Sequence, residues 1–575
     1  MNLTEDPARP LRSVLVANRG EIAVRILRAA ADADMRAVAV YTPADAGALH
    51  VRRAEHSVPI EDYLDLDAVV DAALTAGVEA VHPGYGFLAE NADAAAAVTA
   101  AGLIWIGPPA SVISDLGDKL TARRIARSVG APLTAGTGAI DDVAAVEAFV
   151  AEHGLPVLLK AAFGGGGRGM RVVREADAIP EAFAAASREA AAAFGRGTVY
   201  VERLLEGARH VEVQVLADDA GRVLVLGLRD CSVQRRNQKL VEEAPPPALP
   251  DGVREQLVDS ARAICVAAGY RGAGTVEYLV GSGGEVSFLE VNTRLQVEHP
   301  VTEATTGVDL VVEQFRIAAG AHLVSQQDPP VHGHAIEFRL VAEDPHAGFL
   351  PGPGTVTVLQ VPSGPGVRWD GGVEAGDTVE GRYDSMFGKL IVSGPDRASA
   401  LRRARRALGE LEVAGVPTPI AFYRWLVDHS DFAGPEFAVH NRWVDGVIAD
   451  LPAPVVVADR IVARVGRRAM PVHVPGLATF GDRAAQLIGA AGGATAAGGP
   501  TDAIVLSPMQ GTIVSVAVKD GDLVAAGDVI AVLEAMKMQN AVTAGRAGVI
   551  ADLRVSVGDS VTHGQHLCEV QALQT

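Results

Sequence analysis

Four consecutive glycines, Gly164–Gly167, stand between two short apolar runs, PVLLK ending at Lys160 and MRVV beginning at Met170. A glycine loop joining two strands excludes the architecture in which such a loop opens a helix, and with no GK[ST] after it this is not a Walker loop. It reads as a hairpin lid whose backbone N–H groups can approach phosphate oxygens with no Cβ in the way. Lys119 and Lys160 at its approaches favour a nucleotide phosphate site over a plain surface hairpin. Lysine is itself scarce: of 50 Lys plus Arg only six are Lys, at positions 119, 160, 239, 389, 519 and 537. Where arginine is so preferred, a retained lysine marks a need for a compact ammonium or an amine nucleophile.

Upstream of the lid, SVLVANRGEIAVRILRAA reads as a buried strand (Ser13 to Ala17), a turn and an amphipathic helix, without GxGxxG. Short apolar strands (AVAVY, AVHPGYGF, IWIG) alternate with helical stretches to about Pro109, which predicts a parallel α/β sheet. Strands dominate from His210 to Glu298, and a mixture of α and β returns from Gly333 to about Asp450. Residues 451–501 are expected to be a linker with a few strands and a Gly/Ala-rich tether at 488–500. Beyond it, Gly511, Gly521, Asp522, Val524 and Gly527 recur 37 residues later as Gly548, Gly558, Asp559, Val561 and Gly564. A duplicated set of short Val/Ile strands and Gly-Asp turns predicts a small barrel of two related sheets, with Lys537 at the tip of the EAMKMQN hairpin between the halves. A chain of 575 residues has room for such a series of units at roughly 150 residues per domain.

A net charge of −20 argues against nucleic acid and anionic membranes as partners. Three widely spaced cysteines, Cys231, Cys265 and Cys568, suit a reducing compartment, and no export signal is visible at the N-terminus, so the cytoplasm is expected.

Glu277 and Glu290 lie on two strands joined by a GSGGE turn. With Gly281–Gly284 as the loop, Glu277 faces Phe288 and Glu290 lies diagonally on the same face, where two carboxylates repel unless a cation such as Mg²⁺ sits between them. From Glu290 to Glu298, polar Glu290, Asn292, Arg294, Gln296 and Glu298 alternate with apolar residues. While the chain stays extended they share one side. That pattern fits either a half-exposed strand or a catalytic row with a metal, a small anion and a general base.

HPGYGFLAEN (82–91), GDKLTAR (117–123), GGGGRGM (164–170), RDCSVQRRNQK (229–239), YRGAGTVE (270–277) and EVNTRLQVEHPVTE (290–303) closely resemble the biotin carboxylase family, and EAMKM (534–538) resembles the attachment site of biotin carboxyl carrier domains. The arrangement is similar to the α subunit of an acyl-CoA carboxylase. The resemblance implies a Rossmann-like α/β N-terminal domain (11–120), an ATP-grasp core (121–330, lid about 135–205), a C-terminal carboxylase domain (331–450) and a flattened β-barrel of biotinyl/lipoyl type (502–573). It implies ATP binding by Lys119, Lys160, Glu202, Leu205, His210, Gln234 and Leu279, with Gly165 and Gly166 in the lid. Mg²⁺ or Mn²⁺ would be held by Glu277, Glu290 and Asn292, and bicarbonate by Lys239, Arg294, Gln296 and Val297. Glu298 is then the base, Arg339 faces the biotin ureido oxygen, and Lys537 carries the biotin. Met536 and Met538 beside that lysine favour biotin over a lipoyl group. Two departures stand out: Asn237 replaces a common His, which puts a nucleotide contact there in doubt, and Phe163 replaces a common Gly at the start of the lid. The family reading also implies a biotin protein ligase, a homodimer through the carboxylase domain, and a separate carboxyltransferase β subunit, since no segment here is long enough for that activity. The weighed alternatives are a carboxylate–amine ligase of the same fold, separable by bicarbonate-dependent, biotin-stimulated ATP hydrolysis, and a passive biotin carrier.

Overall fold

Strand β1 (Ser13–Val16) is buried along its whole length. It sits at the centre of a five-stranded parallel sheet with β2 (Arg36–Tyr41), β3 (His56–Pro59), β4 (Ala80–His82) and β5 (Ile104–Trp105), in the order β3-β2-β1-β4-β5. The short apolar runs are what a sheet covered by helices on both faces requires. Helix Gly20–Asp32 leaves β1 with its first turn, Gly20 and Glu21, against the C-terminal part of the fold, so close to Gly372 that a Cβ on that residue would strike the helix backbone. The computed structural model describes residues 2–161, 170–194, 197–325, 327–453, 460–465, 468–473, 504–507, 511–535, 538–561 and 564–571.

The expected lid hairpin is present as β6 (Val157–Ala161) and β7 (Arg171–Val173), paired antiparallel and completed by β8 (Val199–Arg203). Its glycines, Gly165 and Gly166 among them, and Phe163 lie outside the described residues.

The body of the molecule is one eight-stranded sheet. Its strands include β9 (Arg209–Ala217), β10 (Val223–Arg235), β11 (Gln238–Ala244), β12 (Gly272–Val280), β13 (Val286–Asn292) and β14 (His334–Val341). The order is β13-β12-β9-β10-β11-β14, followed by strands Met386–Gly394 and Val367–Gly371, so the sheet runs on past residue 330 without a break. In β9, Val211, Val213 and Val215 pack with Leu257, Ala261 and Ile264 of helix Val253–Ala268. His210, Glu212 and Gln214 alternate with them, and they too are buried. A strand with one polar face that is nonetheless covered needs partners for every group on it.

Two sequence expectations change here. The turn and a bulge at Leu289 set Tyr278 opposite Phe288 and Glu290 directly opposite Glu277, not diagonal to it. The 290–298 run is extended only to Asn292, and Glu298 instead immediately precedes helix His299–Thr306, whose first turn contains Pro300.

Strands Arg460–Val465 and Arg468–His473 form a hairpin in the expected linker, while the 488–500 tether lies outside the described residues. The C-terminal module consists of two four-stranded sheets. Its repeat is visible in reciprocal bonds: Gly521 N–H donates to Ile550 O and Gly558 N–H to Ile513 O, each at 2.8 Å, between residues 37 apart in the two halves. Gly521 and Gly558 share φ of +94° and +96°, conformations that glycine adopts without strain. Lys537 lies outside the described residues, although the flanking strands pair Ala535 with Met538. Among the described residues no helix is long and apolar enough to cross a membrane.

Candidate active site

On the polar face of the large sheet, Glu290, Glu277, Glu212 and Arg229 stand directly opposite one another on β13, β12, β9 and β10. Lys239, at the start of β11, reaches over this row. Its Nζ donates to Glu298 Oε1 at 2.7 Å, to Glu277 Oε1 at 3.1 Å and to Glu212. Buried His210 bonds Glu277 Oε2 at 2.9 Å, and Gln234 lies 3.4 Å from the other ring nitrogen of His210. Gln296 Nε2 donates to Glu277 Oε1 at 3.1 Å, and Arg294 donates to Gln296 Oε1 at 3.1 Å and Asn292 Oδ1 at 3.0 Å. Arg339 on β14 donates to Glu298 Oε2 at 2.9 Å and Glu242 Oε1 at 2.6 Å. Thus the residues singled out from sequence around 239, 277, 290–298 and 339 do converge, although the chain between 293 and 298 is not a strand.

The charges in this cluster set one another's protonation. Burial would raise Glu298, but Lys239, Arg339 and Arg229 outweigh it and hold its carboxyl well below the usual range, so it is ionised. Glu277 is held down against burial by Lys239 and His210. Burial and the neighbouring Glu298 push Glu212 up to about 7. Burial and Glu277 likewise raise Glu290, with Lys119 opposing. That imbalance is what a divalent cation between Glu277 and Glu290 removes. The two carboxylates are hard oxygen donors suited to Mg²⁺, with the Asn292 carboxamide beside them, its Nδ2 donating to Glu277 Oε1 at 2.7 Å and its Oδ1 accepting from Arg294. His210, Glu212 and Glu277 also lie within ligating distance of one another, but the Lys239 ammonium bonds to both carboxylates there.

On the lid side, buried Lys160 pairs with Glu202 across β6 and β8, and Arg123 pairs with Glu202 at 3.0 Å. Lys119, at the start of helix Lys119–Ser128, is lowered by burial and by Lys160, while Glu290 and Glu202 oppose the shift. Half-buried Leu205 follows β8, and Leu279 on β12 stands opposite His210. Lysines, acceptors and apolar surface therefore lie between the lid strands and the large sheet. Asn237 is exposed at a two-residue hairpin tip, where Arg236 and Asn237 have φ of +48° and +66°. That turn favours Asn.

A cavity of about 730 Å³ opens beside this cluster, lined by Tyr85, Phe87, Gln238, Tyr383, Met386 and Gly511. Gly511 belongs to the C-terminal module and adjoins Thr512, which pairs with Glu534 on strand Val529–Ala535.

Sequence reasoning missed Glu212, Arg229, Glu242 and Glu90, the last pairing with Arg294 at 3.0 Å. The period-2 run HVEVQVLA carried a signal for Glu212, as a polar residue repeating inside an apolar strand. Arg229 is fully buried and donates to Glu212, Gln214, Thr275 and Thr302.

Residues 10–113 match the family profile described as biotin carboxylase, N-terminal domain; 118–326 the carbamoyl-phosphate synthase L chain, ATP binding domain; 337–445 the biotin carboxylase C-terminal domain; and 504–570 biotin-requiring enzyme. The chain is 50% identical to the biotin-dependent acyl-coenzyme A carboxylase alpha3 subunit of Mycobacterium leprae, over 98% of this chain and 99% of that one. It is 48% identical to the biotin carboxylase of Haemophilus influenzae, over 73% and 96% of the respective chains. Among solved structures, a Campylobacter jejuni biotin carboxylase complexed with β,γ-ATP superposes with a TM-score of 0.74 at 39% identity, covering 76% of this chain and 99% of that one. The biotin carboxylase domain dimer of Hydrogenobacter thermophilus 2-oxoglutarate carboxylase, with MgADP, ADP and bicarbonate, gives 0.75 at 41% identity, covering 78% and 100%.

Proposed function

Since this chain belongs to the α subunits of biotin-dependent acyl-CoA carboxylases and is a biotin carboxylase joined to a biotin carrier domain, we propose that it carboxylates its own Lys537-linked biotin for a separate carboxyltransferase β subunit. The observation that carries this reading is the convergence of Lys239 and Arg339 on ionised Glu298, beside the facing pair Glu277 and Glu290.

Lys119 and Lys160 hold the ATP phosphates under the lid, with Glu202, Leu205, His210, Gln234 and Leu279 lining the nucleotide. Glu277, Glu290 and Asn292 would hold Mg²⁺, which offsets phosphate charge when bound. Arg294, Gln296, Lys239 and the Val297 backbone N–H seat bicarbonate. Glu298 takes the bicarbonate proton as a bicarbonate oxygen bonds the γ-phosphorus and the bond to ADP breaks, giving carboxyphosphate. Carboxyphosphate releases CO₂ and phosphate, the phosphate accepts the N1′ proton of biotin, and that nitrogen bonds CO₂. Arg339 stabilises the negative ureido oxygen that develops meanwhile. Each step needs water kept out, which is the task of the lid.

The ring enters through the Tyr85 cavity, and Gly511 on its rim supports delivery by the C-terminal module. An acetyl- or propionyl-CoA type of acceptor, chosen by the β subunit, completes the reading, with a homodimer supported by the dimeric relative and a biotin protein ligase as the source of the modification. A cytoplasmic location rests on three free buried cysteines.

The test is intact mass after co-expression with a biotin protein ligase, followed by ATP and ¹⁴C-bicarbonate. Label on biotin at Lys537, lost in Lys537→Arg, is expected. Biotinylated protein that takes up no label overturns the carboxylase reading.

A further inference from the structure

None of the roles above uses Lys389, one of the six lysines and among the largest fully buried side chains. It lies on strand Met386–Gly394, directly opposite Arg339 on β14. Its Nζ donates to the carbonyl of Val297 at 2.8 Å and pairs with Glu21 Oε1 at 3.1 Å. Glu21 also accepts the hydroxyl of Tyr85, from the wall of the cavity. Asp370 stands opposite Lys389 on its other side, but its two oxygens accept from Arg368 at 2.9 and 2.7 Å.

The Val297 carbonyl belongs to the irregular stretch between β13 and helix His299–Thr306. No ladder or helix bonds define that stretch, so its shape depends on individual ties. His299 Nδ1 to Gln296 O at 2.7 Å is one, and Lys389 to Val297 O, next to Glu298, is another. An ammonium enclosed this completely is costly unless it is paired and hydrogen-bonded, and it is both. A guanidinium is larger and planar, and the Lys389 side chain is wholly enclosed.

We propose that Lys389 is a positioning residue for the base: its ammonium fixes the Val297 carbonyl, so that the Val297 N–H and the Glu298 carboxylate face bicarbonate, and Glu21 pairs with that ammonium. Through the Tyr85–Glu21 bond the same tie joins the base-bearing turn to the wall where the ring enters. The inference rests on Glu298 being the base and adds what holds it.

The full-length biotinylated protein is assayed as Lys389→Met, Lys389→Arg and the double variant Lys389→Met/Glu21→Gln, varying bicarbonate and ATP separately. In each, kcat/KM for bicarbonate is expected to fall about 10²-fold, the scale of a misplaced reacting group, while KM for ATP stays at its wild-type value. The double variant removes the Lys389–Glu21 ion pair as a unit, so it loses less melting temperature than Lys389→Met without recovering bicarbonate use. A folded variant that uses bicarbonate as the wild type does, or loses ATP and bicarbonate binding in parallel, overturns the proposal. Wild-type behaviour of Lys389→Arg overturns the need for a compact ammonium. Glu298→Gln with Lys389 intact tests the base separately: bicarbonate-dependent ATP hydrolysis surviving there sinks the base assignment, whatever the Lys389 variants do.

Discussion

Replacing Arg339 by Met separates two effects that a single activity measurement would merge. Its guanidinium bonds Glu298 Oε2 at 2.9 Å and Glu242 Oε1 at 2.6 Å, and both carboxylates are fully buried. Glu298 keeps Lys239 at 2.7 Å after the change. Glu242 keeps nothing comparable, since among the described residues its Oε2 already has no hydrogen-bond partner. The stability loss therefore falls mainly on Glu242, at about 3–5 kcal/mol for a stranded buried charge. In Arg339→Met/Glu242→Gln the stranded group is neutral, and the loss shrinks to about 1–3 kcal/mol. Catalysis behaves differently. With Arg339 as the proposed donor to the ureido oxygen, its loss should cost about 10²–10³ in biotin carboxylation in both variants. The pH profile moves as well: Arg339 is one of the cations holding Glu298 below the ordinary carboxylate range, so its removal raises that pKa. Glu298 acts ionised, and the acid limb of biotin-independent, bicarbonate-dependent ATP hydrolysis shifts to higher pH. Urea denaturation, ¹⁴C transfer to biotin and the ATPase pH profile read the three effects. A double variant no more stable than Arg339→Met, or one that carboxylates biotin within tenfold of wild type, refutes the reasoning.

Glu290→Gln removes one of two facing carboxylates, so the Mg²⁺ concentration for half-maximal ATP hydrolysis should rise about 10–100-fold, while the melting temperature, relieved of repulsion from Glu277, does not fall; an unchanged Mg²⁺ requirement argues against this pair as the metal site. Gly274 lies in β12 where an added Cβ would overlap the Tyr270 ring, so Gly274→Ala should cost about 1–3 kcal/mol by overpacking, and a melt within error of wild type would show that the ring moves freely. Burial holds His50 and His82 down at about 4 against an ordinary 6.5. Between those values the unfolded chain binds protons that the native state does not, so the stability they contribute is full above pH 6.5 and is lost as pH falls toward 4. At about 1.4 kcal/mol per unit each supplies roughly 3 kcal/mol of that slope, and His50→Gln should flatten the fall in urea stability between pH 7 and 4.5 by that amount; an unaltered slope contradicts the assignment.

The sequence made the parallel sheet, the lid strands and the duplicated barrel legible, because each leaves a local period: short apolar runs, paired strands around glycines, Gly-Asp turns every 37 residues. It also brought Glu277 and Glu290 to one face, but not into register. A bulge at Leu289 adds one residue to a strand without altering the hydrophobic pattern around it. The break in the 290–298 alternation did carry a mark, Pro300 in the first turn of the next helix, which the period-2 reading passed over. What no local pattern could reveal is the direction in which the site runs. It was read along one strand, from Glu290 to Glu298. The sheet order instead carries it across six strands at about 4.8 Å each, from Glu290 through Glu277, Glu212 and Arg229 to Lys239, Glu242 and Arg339. Those residues span positions 212 to 339, and only long-range pairing such as β11 with β14 makes them neighbours. A row built that way has a consequence for its energetics. Two of its cations are shared by carboxylates from different elements, Lys239 by Glu212, Glu277 and Glu298, and Arg339 by Glu242 and Glu298. Neutralising one acid therefore changes the hold of its cation on the others, so substitutions two strands apart should couple, whereas equally distant pairs along a single strand should add.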